Sequence, residues 1–221
     1  MEYIKLNGKF GKLGSKFVGL SNSIIPGSGG TDYDGNIYTS IKIGSQEWMV
    51  ENLKTTHYVN GDPLINNFPD WSGATYGMYS NYDQDSNNVP IYGRLYNWFA
   101  IDDGRGLAPT SWRIPSTSDW NYLITYIGSD VCLKLRETGY TYWMETVIPH
   151  PGSDKYGYKA RAAGQCSDAG VFGNLLYLTE FWHASGDLKS SYILDDIHDI
   201  VYVDCTLRKN FGLSVRCMKD A

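Results

Sequence analysis

The sequence has 221 residues, of which 42% are hydrophobic and 19% are charged, and its formal net charge is −5. This length and composition allow one large domain with a buried core, with or without a small appendage. The negative charge offers no basic stripe for a phosphate backbone, so we do not expect nucleic-acid binding. Because the sequence has no apolar run as long as a membrane-spanning helix needs, we expect no membrane span.

Residues 1–30 predict a β-ribbon that serves as an attachment arm. The segment KLNGKF at 5–10 is echoed by KLGSKF at 12–17, and Asn7-Gly8 is a typical two-residue hairpin turn. Such a ribbon is unstable alone in water, so its thin apolar side must pack on another surface. The residues of that side, which we predict to serve in assembly, are Ile4, Leu6, Phe10, Leu13 and Phe17.

Two interpretations of the ribbon remain open. It either adds a strand pair to the domain's own sheet or inserts into a neighbouring subunit or a larger assembly. The glycine-rich segment 26–30 predicts a linker and favours the second interpretation. We therefore divide the chain into an arm with its linker at 1–30 and a domain at 31–221. Lysines interrupt any apolar run at the amino terminus, so it does not resemble a secretory signal.

The segment 37–50 predicts a β-hairpin. Its apolar and polar residues alternate, and Gly44-Ser45 provides the turn. We expect Trp48 and Met49 in the returning strand to enter the core.

A long polar segment at 57–91 is predicted to form an ordered recognition loop. It is rich in Asn, Asp, Gly and Ser, with aromatic residues spread between them. Disordered segments are depleted in aromatics, and tyrosine mixed with small polar residues is typical of antibody paratopes. We expect these aromatics, with a second group near 181–200, to be exposed and to bind a ligand: Trp71, Tyr76, Tyr79, Tyr82, Trp182, His183 and Tyr192. The alternative is that they pack inside their own loops.

The densest cluster of aromatics, glycines and prolines lies at 92–120, and we predict that it is the structural centre of the fold. Its three tryptophans, Trp98, Trp112 and Trp120, are each large enough to anchor a core. Arg94 and Arg113 lie between them, where an arginine usually stacks on rings or binds carbonyls.

Two helices follow this cluster. The residues Ser116 to Asp119 form a capping box, the apolar spacing from Trp120 to Ile127 predicts one buried face, and Gly128 ends the helix. Ser129 begins a shorter helix whose inward residues are Val131, Cys132 and Leu135. Two helices among many short strands predict an α+β domain.

The carboxy-terminal part predicts a closing hairpin from the strands 201–207 and 211–217. The four cysteines are too sparse for a disulfide framework. We favour free, buried thiols over a disulfide between Cys205 and Cys217.

Several separate blocks resemble the Fibrobacter succinogenes major paralogous domain family: YGRLYNW at 92–98, LAPTSWRIPSTSDW at 107–120, SVRCMKD at 214–220, and 31–53. A further landmark appears as Leu133, Lys134, Gly139 and Trp143. The resemblance implies a C-type-lectin-like fold, with short antiparallel strands, two helices, long irregular loops and a terminal strand in the central sheet. The family brings no agreed catalytic residues, and a fold does not imply a function.

Metal and enzyme chemistry find little support in the sequence. Asp83, Asp85 and Asn87 repeat the opening of a calcium loop, but the glycine and glutamate that complete that motif are absent, so calcium is an alternative to solvated turns. The fold superfamily implied by the resemblance includes formylglycine-generating oxidases, which use a cysteine pair, but the spacing of Cys205 and Cys217 is wider. We expect a protein that is not an enzyme and needs no cofactor.

The expected function is recognition at a surface. We predict an adhesion domain that binds a host-surface glycan or protein through its aromatic loops. The arm would join other virion subunits of a tailed phage of a Bacteroidota host, in a trimer that buries the ribbon. The alternatives are a decoration protein that binds neighbouring subunits, an oxidase-like enzyme, and display on a bacterial cell surface.

Overall fold

The structure is a computed structural model. It describes the backbone of two amino-terminal strands, Tyr3–Leu6 and Lys9–Lys12, and residues 24–66, 70–145, 151–184, 191–195, 202–204 and 209–221. Within these residues, no helix is long and apolar enough to cross a membrane.

The chain contains many short strands and few helices, so the α+β class is confirmed. The strands are β1 (Tyr3–Leu6), β2 (Lys9–Lys12), β3 (Ile25–Pro26), β4 (Gly30–Thr31), β5 (Ile37–Tyr38), β6 (Ser40–Ile43), β7 (Gln46–Met49), β8 (Tyr79–Ser80), β9 (Leu95–Tyr96), β10 (Ala163–Cys166), β11 (Phe172–Leu175), β12 (Leu178–Trp182), β13 (Ser191–Asp195), β14 (Tyr202–Asp204), β15 (Leu213–Ser214) and β16 (Met218–Asp220). The α-helices are α1 (Val89–Tyr92), α2 (Trp98–Ile101), α3 (Thr117–Ile127) and α4 (Val131–Leu135). Two short 3₁₀ turns, Tyr82–Gln84 and Ser86–Asn88, lead into α1.

The larger sheet runs in the order β11-β10-β12-β15-β9-β8, and β12 also pairs with β13, which pairs with β14. The contacts of β12 with β10 and with β15 are parallel, and the other pairings are antiparallel. The predicted closing hairpin is therefore wrong, because β14 pairs with β13 and β15 pairs with β9 and β12. Alternating apolar residues identified these strands but carried no information about their distant partners.

The smaller sheet, in the order β16-β7-β6-β3, contains the predicted hairpin. Gly44 in its turn has a φ of 63°, which glycine adopts without strain. Trp48 pairs with Ile41 on one side and Met218 on the other, and both Trp48 and Met49 are fully buried. The expectation for this segment is confirmed. The last strand of the chain lies in this sheet, whereas the resemblance implied the central sheet.

Tryptophans connect the sheets and the main helix into one core. The Trp120 ring lies 5.0 Å from Trp48 and stacks on Tyr192 at 4.8 Å, between ring centroids. A neighbouring cluster contains Trp98 and Trp112, with the Trp98 ring 5.4 Å from Trp182. The three tryptophans of 92–120 are all buried, as predicted.

Helix α3 begins and ends where the sequence predicts. Ser116 and Asp119 form a capping box, and Gly128 is the carboxy-terminal cap. Burial of the Asp119 carboxyl opposes ionisation, but hydrogen bonds from Arg113 and Ser116 outweigh it and lower the pKa of Asp119 to about 2. Asp130 rather than Ser129 occupies the N-cap position of helix α4, without a side-chain capping hydrogen bond, and the predicted inward residues, Val131, Cys132 and Leu135, are buried.

The predicted linker contacts the smaller sheet. Strand β3 pairs with β6, the Ser28 amide donates to the Glu47 carboxylate at 2.5 Å, and the Gly29 amide donates to the Ser40 hydroxyl at 2.7 Å. Residues 25–29 therefore contact the smaller sheet, whereas a linker was expected to make no such contact, and the division of the chain at residue 30 stays a prediction. Composition suggested a flexible linker, whereas these backbone amides bind the buried side chains of Glu47 and Ser40.

The predicted amino-terminal ribbon forms. Strands β1 and β2 pair antiparallel in a sheet of their own, and Leu6 pairs with Lys9, which leaves the expected two-residue connection at Asn7-Gly8. The side chains of Ile4, Leu6, Phe10, Leu13 and Phe17 lie outside the described residues, so their role in assembly stays a prediction.

Candidate functional site

Five of the seven aromatic and histidine residues predicted to bind a ligand are buried, which corrects the expected exposure. Trp71, Tyr82, Trp182, His183 and Tyr192 are each at most 7% exposed. They fill space in a domain with little regular structure. The Trp182 Nε1 group, for example, donates to the Tyr96 carbonyl at 2.7 Å, and the Tyr82 ring packs 5.2 Å from Phe172. The aromatic content of these loops correctly indicated that they are ordered. It could not distinguish aromatic residues that pack in the core from aromatic residues that bind a ligand.

The remaining two members of that set do not form an aromatic surface. Tyr76 is 42% exposed, and Tyr79 is half-buried beneath the Arg94 guanidinium, which lies 5.0 Å from its ring centroid. Arg94 also donates to the Lys54 carbonyl at 2.8 Å, so its expected structural role is confirmed.

Exposed tyrosines gather instead on the outer face of α3. Tyr122 and Tyr126 stack with ring centroids 6.2 Å apart, and the Tyr156 ring lies 6.3 Å from Tyr126. We name these three residues the tyrosine strip. Tyr122 and Tyr126 are four residues apart on a different face from the buried Leu123 and Ile127, a spacing that is visible in the sequence.

The residues considered for calcium form local turns. The Asp85 carboxylate accepts hydrogen bonds from the Asn87 backbone amide and side-chain amide, both at 2.9 Å, and so caps a 3₁₀ turn. Asp83 has a left-handed φ of 51°. Within the part of the chain that the structure describes, no group of three or more His, Cys, Asp or Glu residues could hold a metal ion.

Cys132, Cys166 and Cys217 are buried and form no disulfide, as predicted. Burial raises the pKa of the Cys166 thiol to about 12 and raises that of Cys217 as well. Neither thiol is therefore ionised at neutral pH. Cys205 lies outside the described residues.

A cleft of about 210 Å³ is the candidate functional site. Five separate segments form its walls: Thr39, residues 50–54, α1 with Gly93, residues 159–161, and Arg216. Gly93 allows the close approach of two of these segments, because a Cβ atom there would lie 2.6 Å from Asn52 Cβ. Its φ of 77° also favours glycine.

Cations dominate this cleft although the protein is acidic overall. Lys54, Lys159, Arg161 and Arg216 line it, with Glu51 as the acidic residue of the lining. We name these four cations and Glu51, with their surrounding walls, the basic cleft. Partly enclosed walls of one charge sign concentrate the electric field and attract ligands of the opposite sign.

Arg216 is the innermost cation, only 2% exposed. Its Nε and Nη2 atoms donate to the Asn52 side-chain carbonyl at 2.9 and 2.6 Å, and Nη1 donates to the Tyr158 carbonyl at 2.6 Å. Asn52 is held in this orientation because its Nδ2 atom donates to the Tyr92 carbonyl at 2.9 Å. Burial lowers the pKa of Arg216, yet a guanidinium remains protonated in proteins.

The outer cations differ in how strongly they are held. Arg161 pairs with Glu137 and donates to the Ile91 carbonyl at 3.0 Å. The Lys54 ammonium lies 4.9 Å from the Tyr38 ring centroid. Among the described residues, no carboxylate lies within ion-pair distance of Lys54, Lys159 or Arg216.

Two further features suit this cleft for binding. Lys159 has a φ of 50°, an uncommon conformation for lysine, and local strain of this kind concentrates at functional sites. Glu51 accepts hydrogen bonds from the Thr39 amide at 2.8 Å and the Thr39 hydroxyl at 2.9 Å. The cleft thus presents fixed donors and a fixed acceptor within one small volume.

Sequence reasoning missed the basic cleft because its residues are distant along the chain. Asn52 and Arg216, whose side chains contact each other, are separated by 164 positions. Arg216 lies inside the block SVRCMKD that contributes to the family resemblance, but in the sequence its charge is flanked by apolar residues. An arginine flanked by apolar residues was the signal in the sequence that could have indicated the cleft.

One family comparison identifies the chain. The family model for the Fibrobacter succinogenes major domain matches residues 41–219, which include every residue of the cleft except Thr39. Neither a curated protein nor a solved structure matches the sequence. Because the matched region covers most of the chain, this protein belongs to the Fibrobacter succinogenes major domain family.

Proposed function

We propose that this protein is a non-enzymatic recognition domain that binds a host-surface glycan or protein through the basic cleft. One observation carries the proposal: the buried Arg216 faces a cleft whose outer lysines have no acidic partner among the described residues. Isolated buried charge is costly, so it is retained most readily where a ligand compensates it.

The setting that we propose is a virion, with a bacterial cell surface as the alternative. The ribbon of β1 and β2 is a separate two-stranded sheet, which needs another surface to be stable. We infer that it joins the domain to other virion subunits and that a trimer buries it. We also infer a C-type-lectin-like arrangement, supported by the few helices and the pairing of β16 with β7.

A second candidate function, a decoration protein that binds neighbouring subunits, is favoured by the tyrosine strip. Ile24 lies beside Gly157, the residue that follows Tyr156, since a Cβ atom on Gly157 would contact Ile24 at 2.8 Å. Ile24 and Ile25 are 47% and 55% exposed where the amino-terminal segment enters the domain. An apolar surface at this place suits contact with a neighbouring subunit.

The recognition function is tested by closing the cleft. Ile91 lines the cleft and is 37% exposed, so Ile91→Trp fills space without opening the core. The matched control is Val171→Trp, because Val171 is 65% exposed and lies outside the cleft. We expect Ile91→Trp to lower binding to cells and to a glycan array at least tenfold while the control binds normally. Equal binding by both variants would reject the cleft.

The setting is tested separately by imaging the native protein. Antibody labelling in electron microscopy should mark virions rather than cell envelopes. Labelling confined to uninfected cells would favour the cell-surface alternative.

A further inference from the structure

We propose that the basic cleft binds the carboxylate of an acidic sugar residue, such as a hexuronic acid. This inference rests on the proposed recognition function and specifies its ligand. It follows from the charge of the cleft, from the donors that Arg216 leaves available, and from the acceptor that Glu51 provides.

The charge of the cleft requires an anion. Glu137 pairs with Arg161, so Lys54, Lys159 and Arg216 remain without an acidic ion-pair partner among the described residues, against the single carboxylate of Glu51. Three cations against one carboxylate leave a net charge of +2, which attracts a carboxylate and a phosphate monoester alike. The shape of the Arg216 guanidinium and the acceptor on Glu51, rather than the charge count, favour a carboxylate carried by a sugar.

The shape of the innermost donor also suits a carboxylate. A guanidinium carries five N–H groups, and three of those on Arg216 find acceptors on Asn52 and Tyr158. Two N–H groups therefore remain, one on each terminal nitrogen of the planar guanidinium, and a carboxylate can accept hydrogen bonds from them. Because Asn52 and Tyr158 hold the guanidinium in place, it is already oriented before the ligand binds, and binding costs less conformational entropy.

The remaining walls favour a sugar over an acidic side chain. Two lone-pair positions of the Glu51 carboxylate remain after its bonds to Thr39, and a sugar hydroxyl can donate to them, whereas an aspartate or glutamate side chain cannot. Val89, Pro90 and Ile91 provide an apolar wall for the carbon face of a ring. The volume of about 210 Å³ is smaller than the roughly 300–1,000 Å³ of pockets for drug-sized ligands, so it suits one ring.

The test compares ligands that differ only in charge. Galacturonate, its neutral methyl ester and galactose are titrated into the full chain by calorimetry, and glucuronate is compared with glucose in the same way. Glutamate and inorganic phosphate are titrated as the other carriers of negative charge. We expect each uronate to bind at least tenfold more tightly than its neutral counterparts, glutamate or phosphate.

Charge variants test the residues. Lys159→Asn keeps a residue that tolerates the left-handed φ and removes the charge, and we expect it to weaken uronate binding about threefold. Lys54→Gln combined with Lys159→Asn should weaken it about tenfold. Lys155→Gln is the matched control, because Lys155 has the same charge but lies outside the cleft. These variants leave the buried Arg216 intact, so they do not depend on its contribution to folding.

The outcomes separate this inference from the proposed function. Equal binding of uronates and neutral sugars, tighter binding of glutamate or phosphate, or an equal effect of Lys155→Gln and Lys159→Asn would overturn the acidic-sugar ligand. If Ile91→Trp still lowers cell binding in that case, the cleft remains the recognition site. If Ile91→Trp has no effect either, both proposals fall.

Discussion

Arg216 connects folding and binding at the scale of single residues. It lies between β15 and β16 and binds both Asn52, which lines the cleft, and Tyr158, which precedes the lining residue Lys159. Its guanidinium also lies 4.4 Å from the Tyr158 ring centroid. One side chain thus orders the cleft and provides its innermost positive charge.

Replacing Arg216 with methionine should destabilise the domain. The change leaves two buried carbonyl oxygens without their donor, and we expect a loss of about 2–4 kcal/mol in the free energy of unfolding, measured in urea. The control is Arg105→Met, because Arg105 is a half-exposed arginine paired with Asp103, and its loss should be clearly smaller. Equal losses would show that the Arg216 contacts contribute little.

Asp119 should make stability depend on pH. Its folded-state pKa of about 2 lies below its ordinary value of 3.8, so its contribution is fully present above the ordinary value and is lost as pH falls toward 2. Asp119→Asn should therefore lower stability by about 1–2 kcal/mol at pH 7. The difference from the unmodified protein should shrink as pH falls from 5 to 2, and a constant difference would contradict this role.

At the scale of elements, strand β3 and the residues after it contact the smaller sheet. Glu47 is 3% exposed and accepts hydrogen bonds from Ser28 and Ser40. Burial opposes ionisation of Glu47, but these hydrogen bonds outweigh it and lower its pKa. Without Ser28, a buried carboxylate would lose part of its hydrogen bonding.

Truncation should locate this boundary. Deleting residues 1–23 should leave the melting temperature of the domain nearly unchanged, whereas deleting residues 1–30 should lower it by several degrees because β3 and the Ser28 contacts are lost. Thermal unfolding followed by circular dichroism measures both. Equal melting temperatures would show that 24–30 contribute nothing to the fold.

Local signals predicted local elements. The capping box before α3, the Gly44-Ser45 turn and the pairing of β1 with β2 depend on neighbouring residues, and all three occur. Pairing between distant strands does not follow from such signals. The partner of β15, for example, is β9 from the middle of the chain, and this pairing decides where Arg216 lies.

The burial of the loop aromatics was unpredictable for a related reason. Composition predicts that a long segment with many aromatics is ordered, but it does not say whether the aromatic side chains are buried or exposed. Trp71 packs with Ala74 and Met78 in a small cluster of its own, as an alternative reading of the loops allowed. A domain with short strands needs such rings inside to bury enough apolar surface.

At the scale of the whole molecule, a domain of the Fibrobacter succinogenes major domain family carries a basic cleft and a separate ribbon. The proposed division of roles gives recognition to the cleft and attachment to the ribbon. Deleting residues 1–23 should then abolish assembly, seen as a loss of mass in light scattering, while galacturonate still binds. Loss of sugar binding on that deletion would contradict the separation.

The most direct test of recognition by the basic cleft is to map the bound ligand on isotope-labelled protein by nuclear magnetic resonance. Titration with an acidic oligosaccharide that contains galacturonate should shift the resonances of Asn52, Gly93, Lys159 and the Arg216 side chain. Tyr122 and Tyr126 on the tyrosine strip should remain unchanged. Shifts confined to the tyrosine strip, or shifts absent from the cleft at saturating ligand, would contradict the account.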